Sequence, residues 1–358
     1  MIRLATVFSG IGAPEAALEQ MKVDFETVFA CDNGERELSI TYDEIMETTK
    51  DLNSDERVEY VNKLYEKTRK INHVKSSYFA NHVIDDNRWY EDVRFIDGTK
   101  YTDKVDILVG GSPCQSFSTY GKKKGFEDTR GTLFFHYADL ISKIKPKVFI
   151  YENVPGLKTH DKGKTWTRIL EVFDELDYTT FFFTLNAKDY GLPQNRERIF
   201  VVGFKKQLGV LQFKEPRKLK LRKTSFDYLS KKVDLKYYMG RKGFEWVTTP
   251  EKNQRRSRLN QSIIGCQTAN QQFNWTGDFF LEPPSERIRE EENIFIGTYE
   301  NSTCVARKLT PKECLRLMGF KRFKIVVNDK NAYRQSGNSI AVPVMIALFK
   351  SIFRKVSF

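Results

Sequence analysis

The sequence predicts an α/β protein with a mostly parallel sheet, followed by a smaller and less regular region. Short apolar segments alternate with helical segments up to Phe204, a pattern typical of parallel strands joined by crossover helices. Beyond Phe204 the periodicity is poor, and basic residues and prolines become frequent, which indicates short strands and loops. The 358 residues suffice for one large domain and one smaller domain.

Six short segments rich in apolar and β-branched residues are predicted to be strands. They are residues 4–8, 26–30, 105–109, 148–151, 181–185 and 199–204. Helices are predicted at residues 14–19, 133–144 and 166–176. Another helix is expected after Thr310, because Thr310 and Glu313 can form a capping box and Pro311 suits the first helical position.

The span 33–90 is charged and prone to form helices. It is too long for an ordinary connection between two elements of one sheet. Because charge runs are usually exposed, we expect an insertion of solvated surface helices there.

The net charge of +12 is concentrated in one part of the chain. Between Lys205 and Arg258 there are 17 basic and 5 acidic residues, and the rest of the chain holds 42 of each sign. Such a basic segment indicates a polyanion partner, since each Lys or Arg near a phosphate releases condensed counterions. A solubilising surface would have the same composition.

Composition excludes several other classes of protein. The cysteines are odd in number and widely spaced, so neither a disulfide framework nor a zinc site is expected. They are Cys31, Cys114, Cys266, Cys304 and Cys314. No apolar run reaches the roughly 18–20 residues that a membrane span requires, and the N-terminus does not have the pattern of a signal peptide. We therefore expect a cytoplasmic protein that neither spans a membrane nor binds a metal ion.

A glycine turn follows the first predicted strand, at Phe8-Ser9-Gly10-Ile11-Gly12. Glycine allows a ligand to approach the backbone closely, and the helix that follows offers unpaired N–H groups. Asp32 ends the next strand and could hold ribose hydroxyls. A plain structural turn would have the same sequence.

Residues able to support nucleophilic chemistry follow three later strands. Cys114 comes after the strand 105–109, beside a proline and before a loop rich in Gly and Lys. This setting favours a thiolate, although most lone cysteines are buried and inert. Glu152 follows 38 residues later, so one strand–helix–strand unit would bring carboxylate and thiol together. Arg196 and Arg198 could clamp an anion or pair with Glu197.

Together and in this order, these segments resemble the C5-cytosine DNA methyltransferases. The similar blocks are residues 8–12, 111–118, 121–135, 152–154, 194–200, 307–320 and 335–342. The insertion and the stretch from about 205 to 305 lie outside the resemblance, which otherwise covers nearly the whole motif framework of that family.

The resemblance implies a Rossmann-like, S-adenosylmethionine-dependent catalytic domain formed by residues 1–204 and 328–358, with a target-recognition domain at 205–327. It implies methyl transfer from S-adenosylmethionine to C5 of a cytosine in a short, specific sequence of double-stranded DNA. The target base would be flipped out of the helix, and Cys114 would attack its C6 atom.

The resemblance also implies a role for each matched residue. Cys114 would be the nucleophile and Glu152 the general acid at N3, while Arg198 would reach the base O2 and Arg196 would support the thiolate and a phosphate. The residues expected to bind the cofactor are Phe8, Gly10, Gly12, Asp32, Asp92, Asn338 and Ser339. The residues expected to contact the substrate are Pro113, Gln115 and Arg130.

The partner implied is double-stranded DNA, with a cognate restriction endonuclease acting on the same site as a further expectation, and the chain is expected to be a monomer. The tRNA-modifying branch of the family is an alternative, as are a catalytically inactive DNA-binding homologue and, on the glycine turn alone, a dinucleotide oxidoreductase. One departure is Tyr120, which stands in the loop where some relatives carry a small serine.

Overall fold

The computed structural model describes residues 1–112, 133–254, 256–270 and 272–358. The chain forms two compact units, each with its own core. Unit 1 comprises residues 1–185, 197–217 and 345–358, and unit 2 comprises residues 186–196 and 218–344.

A seven-stranded sheet organises unit 1. Its strands are β1 (Ile2–Val7), β2 (Phe25–Cys31), β3 (Trp89–Tyr90), β4 (Ile107–Gly110), β5 (Val148–Asn153), β6 (Tyr178–Asn186) and β7 (Glu197–Lys205), in the order β3-β2-β1-β4-β5-β7-β6. All six predicted strands are confirmed. Strands β3, β2, β1, β4 and β5 are parallel, whereas β7 runs antiparallel to β5. Strand β7 follows β6 with no α-helix between them. A parallel arrangement of these two strands would need a longer crossover connection.

Helices cover the sheet of unit 1. They are α1 (Ala13–Met21), α2 (Tyr42–Thr48), α3 (Ser54–Lys67), α4 (His73–Phe79), α5 (Leu133–Ile144) and α6 (Lys164–Asp174). A buried, aromatic-rich cluster joins α5 and α6 to β5, including Phe134, Tyr137, Phe149, Tyr151 and Phe173. The central strands β4 and β5 read as apolar runs because both of their faces are covered.

The insertion at 33–90 is more buried than its charge predicts. Its helices α2 and α3 surround a small core that includes Ile45, Val61 and Tyr65. In α4, Tyr78 is completely buried beside Trp89. The expectation of solvated surface helices is therefore wrong for the inner faces, because charged residues occupy only the outer side of amphipathic helices.

Unit 2 contains a four-stranded sheet and several short helices. The strands are β8 (Ser257–Leu259), β9 (Gly277–Glu282), β10 (Ile296–Tyr299) and β11 (Ser302–Lys308), in the order β10-β11-β9-β8. The helices are α7 (Arg241–Thr248), α8 (Pro250–Asn253), α9 (Glu286–Arg289), α10 (Pro311–Leu317) and α11 (Asp329–Asn338). The predicted capping box of Thr310 and Glu313 is present at the start of α10. The guanidinium of Arg307 is fully buried and pairs with both Glu282 and Glu313.

The boundaries of the two units differ from those expected from the sequence. Residues 186–196 and 328–344 belong to unit 2, and residues 205–217 belong to unit 1. The segment 186–196 joins unit 2 because the Gln194 side chain donates to the carbonyl oxygen of Leu317, at 2.8 Å. The last helix, α12 (Val342–Phe353), begins in unit 2 and belongs to unit 1 from Met345 onwards.

The stretch Asp329–Phe353 has the length and mean hydropathy of a membrane-spanning helix, and 56% of its most apolar 18 residues are buried in the protein. It consists of two helices, α11 and α12, with three non-helical residues between them. Burial in the protein core accounts for its apolar composition.

Candidate functional site

The carboxyl ends of β1, β2, β4 and β5 lie along one edge of the unit 1 sheet. The strand order reverses at β1, which lies between β2 and β4, and open α/β sheets bind ligands at such a point. Of the residues predicted to form the site, the structure brings Phe8, Gly10, Gly12, Asp32 and Glu152 to this edge.

The turn after β1 has a backbone that favours glycine. Gly10 and Gly12 have φ angles of +55° and +76°, and the non-glycine Phe8 also has a positive φ, of 54°. A Cβ atom added to Gly10 would meet nothing within 4 Å, so the space in front of this residue is open. Gly12 is the N-cap of α1 and supplies no side-chain cap, which leaves N–H groups of the first turn available to a ligand.

The carboxylate of Asp32 is held in place from two sides. One oxygen accepts a hydrogen bond from the N–H of Gly10 at 2.9 Å, and the other accepts from the N–H of Gly34 at 2.8 Å. Burial raises the pKa of Asp32, while these two hydrogen bonds oppose the rise. An oriented carboxylate beside an open glycine turn fits a ligand that carries ribose hydroxyls.

The carboxylate of Asp92 is engaged within the protein. Its Oδ1 accepts from the backbone N–H and the Nε of Arg94, at 3.0 and 2.9 Å, and its Oδ2 accepts from Nη2 of Arg94 and the hydroxyl of Tyr65, at 2.6 and 2.9 Å. Burial, reinforced by the charge of Asp92, raises the pKa of Tyr65, which therefore remains a donor. These bonds occupy the acceptor sites of Asp92, so the predicted contact with a cofactor would require one of them to break.

Glu152 and Arg198 form an ion pair at the end of β5 and the start of β7. Arg198 Nε lies 3.2 Å from Glu152 Oε1, and the two side chains are 16% and 15% exposed. Each group is therefore partly screened from water while it remains open to a ligand. The antiparallel register of β5 and β7, in which Glu152 lies opposite Phe200, brings the two side chains to the same edge.

The ends of β4 and β5 are locked together by side-chain hydrogen bonds. Asn153 Nδ2 donates to the carbonyl oxygen of Ser112 at 3.0 Å, and the hydroxyls of Ser112 and Tyr151 lie 2.9 Å apart. A Cβ atom added to Gly111 would lie 2.8 Å from the carbonyl oxygen of Glu152, so this approach requires glycine. The chain therefore leaves β4 directly beside Glu152.

The residues predicted to carry nucleophilic attack and substrate contacts follow this point. Cys114, Pro113, Gln115 and Arg130 lie outside the described residues. Cys114 is two residues beyond Ser112 in the chain, and its role stays a prediction.

Arg196 does not share the environment of Arg198. Its guanidinium donates to three backbone carbonyl oxygens within unit 2, those of Gln267 at 2.8 Å, Gly337 at 2.9 Å and Ser339 at 2.7 Å. Arg196 precedes the first residue of β7 and is 2% exposed. These contacts orient the Arg196 guanidinium, and its predicted catalytic role stays a prediction.

Asn338 and Ser339, also predicted to bind the cofactor, lie in unit 2. Asn338 is the last residue of α11, and Ser339 is its C-cap. The carbonyl oxygen of Ser339 accepts the bond from Arg196, so a buried arginine fixes this segment.

Several residues that support the edge of the sheet were not identified from the sequence. They are Glu15, Asn72, Tyr78 and His82, which are all buried polar residues. Only Asn72 carried a local signal, as a possible N-cap before a helix. The other three have partners more than 60 residues away in the chain, and no local pattern encodes such contacts.

The basic segment is exposed where its charge is densest. Residues 209–224, which lie between β7 and α7, form neither helix nor strand. The exposed cations there include Arg217, Lys218, Lys220, Arg222 and Lys223. Lysine and arginine side chains on an irregular, exposed segment can contact successive phosphates of a nucleic acid.

Two type II methyltransferases are similar to this chain in sequence. The type II methyltransferase M1.ScrFI of Lactococcus lactis subsp. cremoris is 41% identical over 249 residues, which cover 68% of this chain and 61% of that enzyme. M.HpaII of Haemophilus parainfluenzae, also a type II methyltransferase, is 40% identical over 275 residues, covering 71% and 73%. The match therefore spans less than two thirds of the first enzyme.

Solved structures support the fold. The methyltransferase EhMeth of Entamoeba histolytica superimposes with a TM-score of 0.65 at 19% identity, covering 100% of this chain and 99% of that one. The family model for C-5 cytosine-specific DNA methylases matches residues 62–354. The α/β sheet, the Glu152–Arg198 ion pair at its edge and the match to the family model lead to one conclusion: the chain belongs to the C-5 cytosine-specific DNA methylase family.

Proposed function

We propose that this protein transfers a methyl group from S-adenosylmethionine to C5 of a cytosine within a short, specific sequence of double-stranded DNA. The observation that carries the proposal is the Glu152–Arg198 ion pair at the edge of the sheet, beside Gly111 and Ser112. The segment that contains Cys114 begins directly after these two residues. A carboxyl group, a guanidinium and a thiol are the groups that activation of a pyrimidine ring requires.

The methyl donor would bind at the turn after β1. Its amino-acid part would meet the free N–H groups at the start of α1, and Asp32 would hold its ribose hydroxyls. When bound, S-adenosylmethionine supplies an electrophilic methyl group. The open space at Gly10 and the two hydrogen bonds that orient Asp32 support this fit.

Activation of the base would begin with the thiolate of Cys114. As its sulfur bonds to C6, electron density moves from the C5–C6 double bond towards N3, and the carboxyl group of Glu152 gives a proton to N3. Arg198, paired with Glu152, would orient the carboxyl group and donate to O2. Once C5 has gained the methyl group, it would give its proton to a water molecule acting as base. The C5–C6 double bond would then re-form and expel the thiolate, and N3 would return its proton to the Glu152 carboxylate.

Unit 2 and the basic segment would hold the DNA, since lysine and arginine side chains position phosphates and leave base edges to other groups. Replacement of Arg217, Lys218, Lys220, Arg222 and Lys223 by glutamine should therefore flatten the salt dependence of DNA binding. Each lost phosphate contact lowers the slope of log K against log salt by about 0.9. Binding would be measured by fluorescence anisotropy at several salt concentrations.

A matched control replaces five exposed cations of unit 1, Lys50, Lys63, Lys67, Lys143 and Lys164. If both sets of substitutions change the slope equally, the effect reflects net charge, and the phosphate contacts lie elsewhere.

We further propose that the protein acts as a monomer, and that a restriction endonuclease of the same site accompanies it. The description of its relatives as type II methyltransferases supports the second proposal. Light scattering of the protein with and without DNA tests the first. A search for cleavage that methylation blocks, in extracts of the source cells, tests the second.

Bisulfite sequencing of DNA from cells that express the chain tests the activity. We expect protected cytosines at one short sequence and none in cells expressing Cys114→Ser. Methyl transfer to duplex DNA and to tRNA should be compared in parallel, and transfer to tRNA alone would contradict the proposed substrate.

A further inference from the structure

Helix α4 contacts both loops that line the candidate donor site. Asn72 precedes its first residue, and His82 lies three residues beyond its last. Asn72 contacts the loop after β2, and His82 contacts the turn after β1. One short helix therefore connects the two loops that the proposed function assigns to a single ligand.

At the first end, Asn72 supports the loop of Asp32. Its Nδ2 donates to the carbonyl oxygen of Asp32 at 2.8 Å, while its Oδ1 caps α4 by accepting from the N–H of Lys75. A Cβ atom on Gly34 would lie 2.3 Å from Oδ1 of Asn72. This close approach keeps the N–H of Gly34 directed at the Asp32 carboxylate, to which it donates at 2.8 Å.

At the other end, His82 lies beneath the glycine turn. Its Nε2 is 3.1 Å from the carbonyl oxygen of Ile11, and its Nδ1 is 2.9 Å from Oε1 of Glu19. A Cβ atom on Gly12 would lie 2.2 Å from Nε2, so the ring occupies the space that glycine leaves. Since a carbonyl oxygen and a carboxylate are both acceptors, His82 can satisfy both bonds only as the doubly protonated imidazolium.

The surroundings of His82 favour this charge. Burial opposes the charge, but the hydrogen bond to Glu19 and the charges of Glu15 and Glu19 outweigh it, so the pKa of His82 is raised. Tyr78 also faces His82: its ring lies 5.0 Å away, and its hydroxyl donates to Glu15 at 2.7 Å. The Glu15 side chain is completely buried on α1, directly after the glycine turn.

We propose that His82 and Asn72 are positioning residues that hold the two donor-binding loops in register, and that protonation of His82 makes donor affinity depend on pH. The proposal rests on the proposed function, because it assumes that the two loops bind one ligand. A neutral imidazole can keep only one of the two hydrogen bonds, so deprotonation of His82 would loosen the glycine turn, and donor binding in turn would favour the protonated ring. Donor affinity should therefore fall as the solution becomes alkaline.

The test measures binding of S-adenosylhomocysteine by isothermal titration calorimetry, without DNA, from about pH 6 to about pH 9. We expect His82→Gln, which keeps one donor but no charge, to weaken binding roughly 3- to 10-fold at the acidic end. The variant should also lose the decline in affinity that the unmodified protein shows with rising pH. With saturating donor, kcat for DNA methylation should stay near that of the unmodified protein while the donor KM rises.

A second variant distinguishes a local effect on the donor site from unfolding of the protein. Asn72→Ser retains a capping oxygen for α4 but loses the amide that donates to Asp32, and it should weaken binding without changing the pH profile. The matched controls are Asn53→Ser at the N-cap of α3 and His160→Gln before α6, which should bind normally. Thermal unfolding of each variant is compared in parallel.

Unchanged affinity and an unchanged pH profile in His82→Gln would overturn this inference and leave the proposed function intact. If the unmodified protein binds no S-adenosylhomocysteine at any pH, the assignment of the donor site fails together with it.

Discussion

Replacement of Cys114 by serine should abolish methyl transfer while DNA binding survives. A serine hydroxyl is far less nucleophilic than a thiolate at neutral pH, so attack on C6 would stop. We expect the rate to fall by roughly 10⁴-fold or more, as when a nucleophile is removed from other covalent enzymes. Transfer of a radiolabelled methyl group to duplex DNA measures the rate, and anisotropy measures binding.

Cys266→Ser is a suitable control, because Cys266 is a partly exposed thiol in unit 2 and should retain activity. A duplex carrying 5-fluorocytosine at the target position should trap the unmodified protein covalently when donor is present, and it should leave Cys114→Ser free. Turnover in the serine variant, or trapping at another residue, would disprove the proposed nucleophile.

Replacement of Glu152 by glutamine is expected to slow methylation by roughly 10²- to 10⁴-fold, the usual contribution of a general acid. Glutamine keeps the shape of the side chain but cannot give a proton to N3, and it also removes the ion pair with Arg198. Donor affinity should change little, because Glu152 lies at the end of β5 and the donor loops follow β1 and β2. Single-turnover kinetics with preformed DNA complex separates chemistry from binding.

Two further variants sharpen this experiment. Glu47→Gln removes a carboxylate from the exposed surface of α2 and should leave the rate unchanged. Arg198→Lys keeps the positive charge but loses the planar guanidinium, and we expect an intermediate rate. A normal rate in Glu152→Gln would exclude Glu152 as the proton donor.

Much of unit 1 could be read from local patterns. Each of the six predicted strands is a short segment rich in apolar residues, and burial on both faces makes the central strands β4 and β5 visible as apolar runs. The glycine turn was visible because only glycine tolerates the backbone of residues 10 and 12 at low cost. The antiparallel direction of β7 was not visible, since strand direction depends on how the chain crosses the sheet.

The environments of the two arginines near the start of β7 could not be predicted from the sequence. Arg196 and Arg198 are two residues apart, and the sequence suggested that they act together. In the structure Arg198 faces Glu152, whereas Arg196 is enclosed by carbonyl oxygens of residues 267, 337 and 339. These partners are 71, 141 and 143 residues away, so no local pattern could distinguish the two environments.

The sequence by itself determined the class of fold, the chemical groups at the carboxyl edge of the sheet and the concentration of positive charge, because these depend on residue type and short-range order. Only the tertiary structure decided which acids and bases meet. It enclosed Asp92 with Arg94 and Tyr65, and it placed His82 under Gly12. Contacts between residues far apart in the chain arise from packing, and packing depends on every element at once.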